Sequence, residues 1–478
     1  MNLFKLVPGW GAALLLLTLP ACSPKATTAL TAPAATVSPA SAAAPAQPAE
    51  AAFQIPVEYY TLPNGLKVVL SPDHTAPTAT VAAYYNVGFR NEPRNRTGYA
   101  HLFEHLMFQG SQNLGKMEFI QLIQKNGGVL NGSTRFDFTN YFEVVPSHKL
   151  ETMLWAEADR MRGLAITQAN LVNQQGVVKN EVRVNVLNAP YGGFPWLDMP
   201  QKANKNWNNA HNFYGDLQDL DAATLADAQA FFKTYYAPNN AVLAVVGDFE
   251  PAEAKAWVTQ YFAAIPSAPQ PPKPDLTEPR QEQEQRFTKD DKLATKPALA
   301  FAYHMPERNT PEYYALILLD QILLQGKDSR LYQALVQKRG YSDNVSGGIN
   351  YLGNQFNYAG PMLWMGDLTY DQNVRVDSVV SALDQEIGRL GQGISQTTLD
   401  LAVVKLRSGL YDQLSGSDNF GRADMLAAFA LFDDNPARIN TLEAEFRKVT
   451  PELMRKTIQE YLRPTNRTIM VVNPLAKS

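Results

Sequence analysis

Two segments 226 positions apart carry the same punctuation. Tyr236-Ala-Pro238-Asn-Asn240 runs into an apolar stretch, 241–246, and Tyr461-Leu-Arg-Pro464-Thr-Asn466 runs into another, 468–472. In both, an Asn stands two places after the Pro, and a Val-Val pair stands seven and eight places after it, Val245-Val246 and Val471-Val472. A turn feeding a strand is common, but the same turn closing two stretches of similar length points to one structural unit used twice. At 478 residues the chain is long enough for two bodies that each bury a core.

The bodies are expected at 53–265 and 290–478, separated by a Pro-rich and then Glu/Gln-rich linker at 266–289. Within the first, 66–71 and 78–87 are rich in β-branched and aromatic residues, and Pro63-Asn64-Gly65 supplies a hairpin turn. Helix-period stretches follow at 100–108, 117–125, 150–164 and 168–187, with a further strand at 139–145. Locally paired strands and blocks of helix predict an α+β fold: two homologous domains, each a mainly antiparallel sheet covered by helices on one face.

The start of the chain reads as a targeting segment. Residues 1–22 combine Lys5, an apolar run at 12–19 and Leu19-Pro20-Ala21-Cys22. The run is short for a bilayer span and suits a signal-peptide core. Its end resembles the lipobox of bacterial lipoproteins, which implies that Cys22 is acylated and anchors the mature chain to a membrane; cleavage after Ala21 and plain secretion is the rival. Ser23 follows, without an Asp retention signal, so the resemblance implies the periplasmic side of the outer membrane. Residues 23–52 are nearly all Ala, Pro, Thr and Ser, a composition expected of a disordered tether.

Cys22 is the only cysteine, which excludes an intramolecular disulfide and a zinc site of several thiolates. With 42 basic against 46 acidic side chains there is no positive field for phosphates, and nucleic acid is not an expected partner. A metal would need His and carboxylate ligands. His101-Leu-Phe-Glu104-His105 offers them, because residues three and four apart share one helix face. Two imidazoles can hold zinc while the carboxylate takes a proton from water. The bland alternative is two surface histidines on an amphipathic helix. A third protein ligand is expected from another helix, and Glu181, in Val177-Val178-Lys179-Asn180-Glu181, lies in a long helical pattern. Taken alone, it would more often be an exposed helix glutamate.

These residues resemble the pitrilysin/insulinase family of zinc metallopeptidases, and within it the short two-domain branch that includes the mitochondrial processing peptidases. The matching runs are Asn64-Gly65-Leu66, Gly98-Tyr-Ala-His101-Leu-Phe-Glu104-His105-Leu-Met-Phe108-Gln-Gly110, Gly127-Gly128-Val-Leu-Asn131-Gly-Ser-Thr134-Arg-Phe-Asp137-Phe-Thr139-Asn-Tyr141, Val177 to Glu181, and Pro190-Tyr191-Gly192. The resemblance implies that His101, His105 and Glu181 bind Zn2+, that Glu104 is the general base, and that Asn131, Gly132, Ser133 and Thr134 lie on an edge strand holding peptide substrates by main-chain pairing.

The departures carry expectations too. Gln174 stands where the longer relatives have an acidic residue, so it is left out of the catalytic set. Aligned through Gly340, the second half places Val336 and Asp343 where the family has a substrate-binding Arg and Tyr, and Tyr341 is displaced by two. That predicts a homologous second subunit supplying an Arg/Tyr clamp. Two other readings remain: a non-catalytic scaffold subunit, and a hydrolase of another class reusing the motif. The remaining histidines, His74, His148, His211 and His304, are expected to be structural or superficial.

Overall fold

A computed structural model describes residues 54–475 except Ser417. The signal-like segment, Cys22 and the Ala/Pro-rich stretch therefore lie outside the described residues. The described residues form one compact unit.

The first sheet contains β1 (Glu58–Thr61), β2 (Lys67–Pro72), β3 (Thr78–Tyr85), β4 (Val129–Thr134), β5 (Thr139–Pro146) and β6 (Ala241–Gly247), in the order β1-β2-β6-β3-β5-β4. The second contains β7 (Gln285–Asp291), β8 (Ala298–His304), β9 (Ser346–Ile349), β10 (Leu363–Thr369) and β11 (Arg467–Pro474), in the order β7-β11-β8-β10-β9. Apart from β1, the two orders match strand for strand. The senses match as well: β2·β6 and β7·β11 are parallel, and the other pairs are antiparallel. The α+β class and the repeated architecture are thus as expected. The repeated Asn has a physical reason. Asn240 Nδ2 donates to the carbonyls of Tyr235 (2.9 Å) and Asn86 (3.3 Å), and Asn466 Nδ2 donates to those of Tyr461 (2.7 Å) and His304 (2.9 Å). Each amide ties the end of a helix to the end of a neighbouring strand, satisfying carbonyls that burial would otherwise leave unpaired.

Helices of the first half cover one face of the first sheet. α1 (Tyr99–Leu106) and α2 (Glu118–Lys125) pack near β4 and β5, α3 (Leu150–Arg162) lies on β3 and β5, and α4 (Gln168–Val182) packs on α1. On that face Arg160 of α3 is buried between Glu143, at 3.0 Å, and the rings of Phe119 and Tyr141. The alternate residues of the same strands face the helix Phe420–Asp433 of the second half: Phe420 stacks on Phe142, and Tyr84 donates to Asp424 at 2.8 Å. The favour is returned, since Phe194, Met199 and Ala203 of the first half pack on Ala298, Ala300, Ala302 and Met470 of the second sheet. Phe194 and Phe420 are again 226 positions apart. Each half lays equivalent residues on the back of the other's sheet, burying a face that its own helices leave open. A further tie is Arg90, which pairs with Asp137 at 2.8 Å, while Asp137 accepts from the Ala359 backbone at 2.9 Å.

The stretch 266–284 has no regular element, but 285–289, read from the sequence as linker, begin β7. Its residues, Gln-Arg-Phe-Thr-Lys-Asp-Asp, alternate between exposed and half-buried along a sheet edge, and this polar pattern hides a strand.

Candidate metal centre

α1 starts where the chain turns through Gly98, whose φ of 82° favours glycine; a Cβ there would lie 2.6 Å from the Cα of Gly215. This close crossing brings 211–216 against the helix start. Buried Glu92 accepts from the backbone N–H groups of Gly98 (3.0 Å) and Ala100 (2.9 Å) and faces His211 Nε2 at 3.0 Å. A carboxylate satisfies the free donors of a helix N-terminus and complements its dipole. Burial raises the Glu92 carboxyl above its ordinary range, against the pull of His211 and the two N–H groups. His211 is therefore a buried partner of the helix anchor, as one of the structural histidines expected.

One turn further, His101 and His105 project together. Their Nε2 atoms are 3.3 Å apart, and Glu181 of α4 reaches both, 3.6 Å from His101 Nε2 and 3.3 Å from His105 Nε2. Among the described residues this is the group of His, Cys, Asp and Glu side chains whose geometry could hold a metal ion. The donor set fits zinc. Ligand bonds of about 2.0–2.1 Å in a tetrahedron place donors about 3.3–3.4 Å apart, close to this triangle. Burial lowers His101 below the ordinary histidine range, and the neighbouring His105 adds to it. Burial also disfavours charge on His105, but the hydrogen bond and charge of Glu181 prevail and raise it. For Glu181, burial is outweighed by His105, His101 and Tyr214, and its pKa falls to about 2. Glu181 is accordingly an ionised carboxylate.

Glu104 is on the same helix but outside the triangle. Its Oε2 accepts from Thr134 Oγ1 at 2.7 Å. Thr134 ends β4, which pairs with β5 on one side and, among the described residues, has no strand on the other. The strand runs close over the helix at Gly132, where a Cβ would come within 3.3 Å of Glu104 Cγ. Asn131 is exposed, Gly132 and Ser133 are half-buried, and Ser133 Oγ is engaged by Asn140. Through Gly132 and Thr134 the strand carrying the four candidate substrate residues thus lies against Glu104, so that β4, α1 and α4 meet here.

Two contributors were not legible in the motif. Gln174, left out of the catalytic set above and buried two turns before Glu181 on the same face of α4, hydrogen-bonds His105. Tyr214 donates to Glu181 Oε1 and stacks on the His101 ring, centroids 4.9 Å apart and planes at 15°. Its distance of more than a hundred residues from His101 leaves no periodic signal. By contrast, Val336 lies in the wide helical turn Tyr332–Lys338, and Asp343 is exposed and paired with Lys296 at 3.2 Å. Among the described residues no hydrogen bond or ion pair joins either one to the metal triangle.

A duplicated α+β chain with a His-His-carboxylate triangle beside an open sheet edge has the layout of a metallopeptidase. The chain belongs to the M16 peptidase family. Residues 67–191 match the family model described as insulinase (peptidase family M16), and residues 222–406 match that described as the peptidase M16 inactive domain. Over 430 residues it is 25% identical to the zinc protease PqqE of Helicobacter pylori, covering 87% of this chain and 93% of that one. It is 23% identical over 370 residues to the mitochondrial-processing peptidase subunit beta of Saccharomyces cerevisiae, covering 74% of this chain and 78% of that one. The crystal structure of a protease from Helicobacter pylori superposes with a TM-score of 0.81 at 25% identity, over 88% of this chain and all of that one.

Proposed function

We propose that this protein is an inverse-zincin peptidase that hydrolyses peptide bonds with His101, His105 and Glu181 as zinc ligands and Glu104 as general base. The observation that carries the reading is the donor triangle with a carboxylate just outside it, bonded to the end of an unpaired strand edge. Zinc, when bound there, supplies a Lewis acid that stabilises negative charge on oxygen. Thr134 occupies Glu104 Oε2 and orients the carboxylate, so Oε1 takes the proton of the attacking water and later returns it to the leaving amine. The open edge of β4, at Asn131 to Thr134, holds an extended peptide through main-chain hydrogen bonds, which suits broad side-chain tolerance. The name of the Helicobacter pylori relative supports zinc. Metal content together with cleavage of a fluorogenic peptide library tests the proposal; a protein that takes up no zinc, or takes it up and cleaves nothing under any pairing, overturns it.

The second reading concerns assembly. Val336 and Asp343 offer neither the planar cation nor the phenol of the family's clamp, and Asp343 is engaged at the surface with Lys296. We therefore also propose that the chain provides the zinc half of a site completed by a homologous subunit, which fits the likeness to a processing-peptidase beta subunit. Comparing the chain alone with the chain plus a homologue lacking H-x-x-E-H tests this; full turnover by the isolated chain shows the clamp to be self-supplied. Placement on the periplasmic side of the outer membrane through acylated Cys22 is proposed from the N-terminal sequence, and mass spectrometry of the mature N-terminus checks it.

A further inference from the structure

Tyr214 touches two members of the donor triangle that come from different helices. Its hydroxyl donates to Glu181 Oε1 on α4, and its ring lies parallel to that of His101 on α1. The side chain is itself held on two further sides. Asn185 Nδ2 donates to the phenol oxygen at 3.0 Å, and Trp196 meets the ring edge-on, centroids 5.1 Å apart and planes at 89°. A phenol has one proton to donate. With the Asn185 amide donating to its oxygen, that proton is directed at the carboxylate. The backbone is fixed too, by Asn212 Oδ1 accepting from the Tyr214 N–H at 3.3 Å and by the Gly98–Gly215 crossing next door.

We propose that Tyr214 is the positioning residue of the metal centre, setting which oxygen Glu181 presents and the plane in which His101 presents Nε2. The inference rests on the metal reading above and adds a residue to it. Glu181 has two equivalent oxygens and, without Tyr214, could rotate or bind through both. With Oε1 engaged by the phenol, Oε2, which is the oxygen nearer His105 at 3.3 Å, is the one left as a ligand. Stacking on Tyr214 does the same for the His101 ring, whose Nδ1 is buried and, among the described residues, has no hydrogen-bond partner to orient it. Metal-ligating histidines ordinarily depend on such a partner for their orientation; here a ring face replaces it.

The test is a comparison of Tyr214→Phe with the wild-type chain, using zinc affinity from chelator competition and the visible spectrum of the Co2+-loaded protein. Phenylalanine keeps both ring contacts and removes only the hydroxyl, with its bonds to Glu181 and Asn185. Zinc affinity is expected to fall about 10- to 100-fold, the usual range for losing a partner of a metal ligand, with a changed Co2+ spectrum and an unchanged melting temperature of the metal-free protein. Equal affinity and an identical spectrum overturn the proposal. Should Tyr214→Phe fail to fold, Asn185→Leu, which removes only the amide directing the phenol, is expected to weaken zinc binding in the same direction, and unchanged binding again overturns it. Failure of the wild-type chain to bind zinc is a different result: it removes the metal centre and, with it, anything for Tyr214 to position.

Discussion

At the level of single residues, the proposed site separates the groups that would hold a metal from the group that would move a proton. Glu104 and Glu181 are both glutamates near the same histidines, yet Glu181 lies 3.3 Å and 3.6 Å from their Nε2 atoms while Glu104 is turned to Thr134. Glu104→Gln is therefore expected to retain one zinc per chain while losing about a hundredfold to ten-thousandfold in turnover, the range for removing a general base. Glu181→Gln is expected to lose zinc. Metal analysis beside peptide hydrolysis distinguishes the two, and retained turnover in Glu104→Gln would take that residue out of the mechanism. The motif His101-x-x-Glu104-His105 is readable because helix periodicity converts spacing into a shared face. No comparable rule reaches Tyr214.

At the level of elements, the repeated Asn after the repeated Pro closes each half. Asn240→Ala and Asn466→Ala each leave two carbonyls unpaired, and each is expected to cost about 1–3 kcal/mol, seen as a lower denaturation midpoint. A midpoint unchanged in both would mean the repeat is ornamental. The helix Pro311–Leu323 offers a test by pH. Its Asp320 is raised to about 7 by burial, against hydrogen bonds from Trp364 and Gln325. The folded state thus keeps a proton that the unfolded state has released above its ordinary value of 3.8. Its contribution to stability is complete below that value and is lost as pH rises through about 7. Urea midpoints at about pH 5 and about pH 8 are expected to show a smaller drop for Asp320→Asn than for the wild type.

At the level of the whole molecule, the two halves share their cores. Phe420 and Tyr84–Asp424 cover the first sheet from the second half, and Phe194 and Met199 cover the second sheet from the first. We expect one cooperative unfolding transition for the two halves, followed by calorimetry, and an insoluble or molten product when 53–265 is expressed alone, because the back of β3 and β5 would be exposed. Two separate transitions would show that the exchanged helices contribute little.

What the sequence by itself determined was what depends on short-range periodicity and on punctuation. The α+β class, the duplication and the shared face of His101, Glu104 and His105 all follow from spacing within a helix, a strand or a turn. Glu181 could be singled out as a candidate but given the ligand role only through family resemblance, since a glutamate on a helix carries no sign of what faces it. Tertiary structure alone decided the rest. It laid Phe420 and Phe194 on each other's sheets, turned the polar residues 285–289 into a strand, and brought Tyr214 against α1 through the contact of Gly98 with Gly215. Such contacts join residues more than a hundred positions apart, where chain geometry imposes no register and only close packing selects the partner.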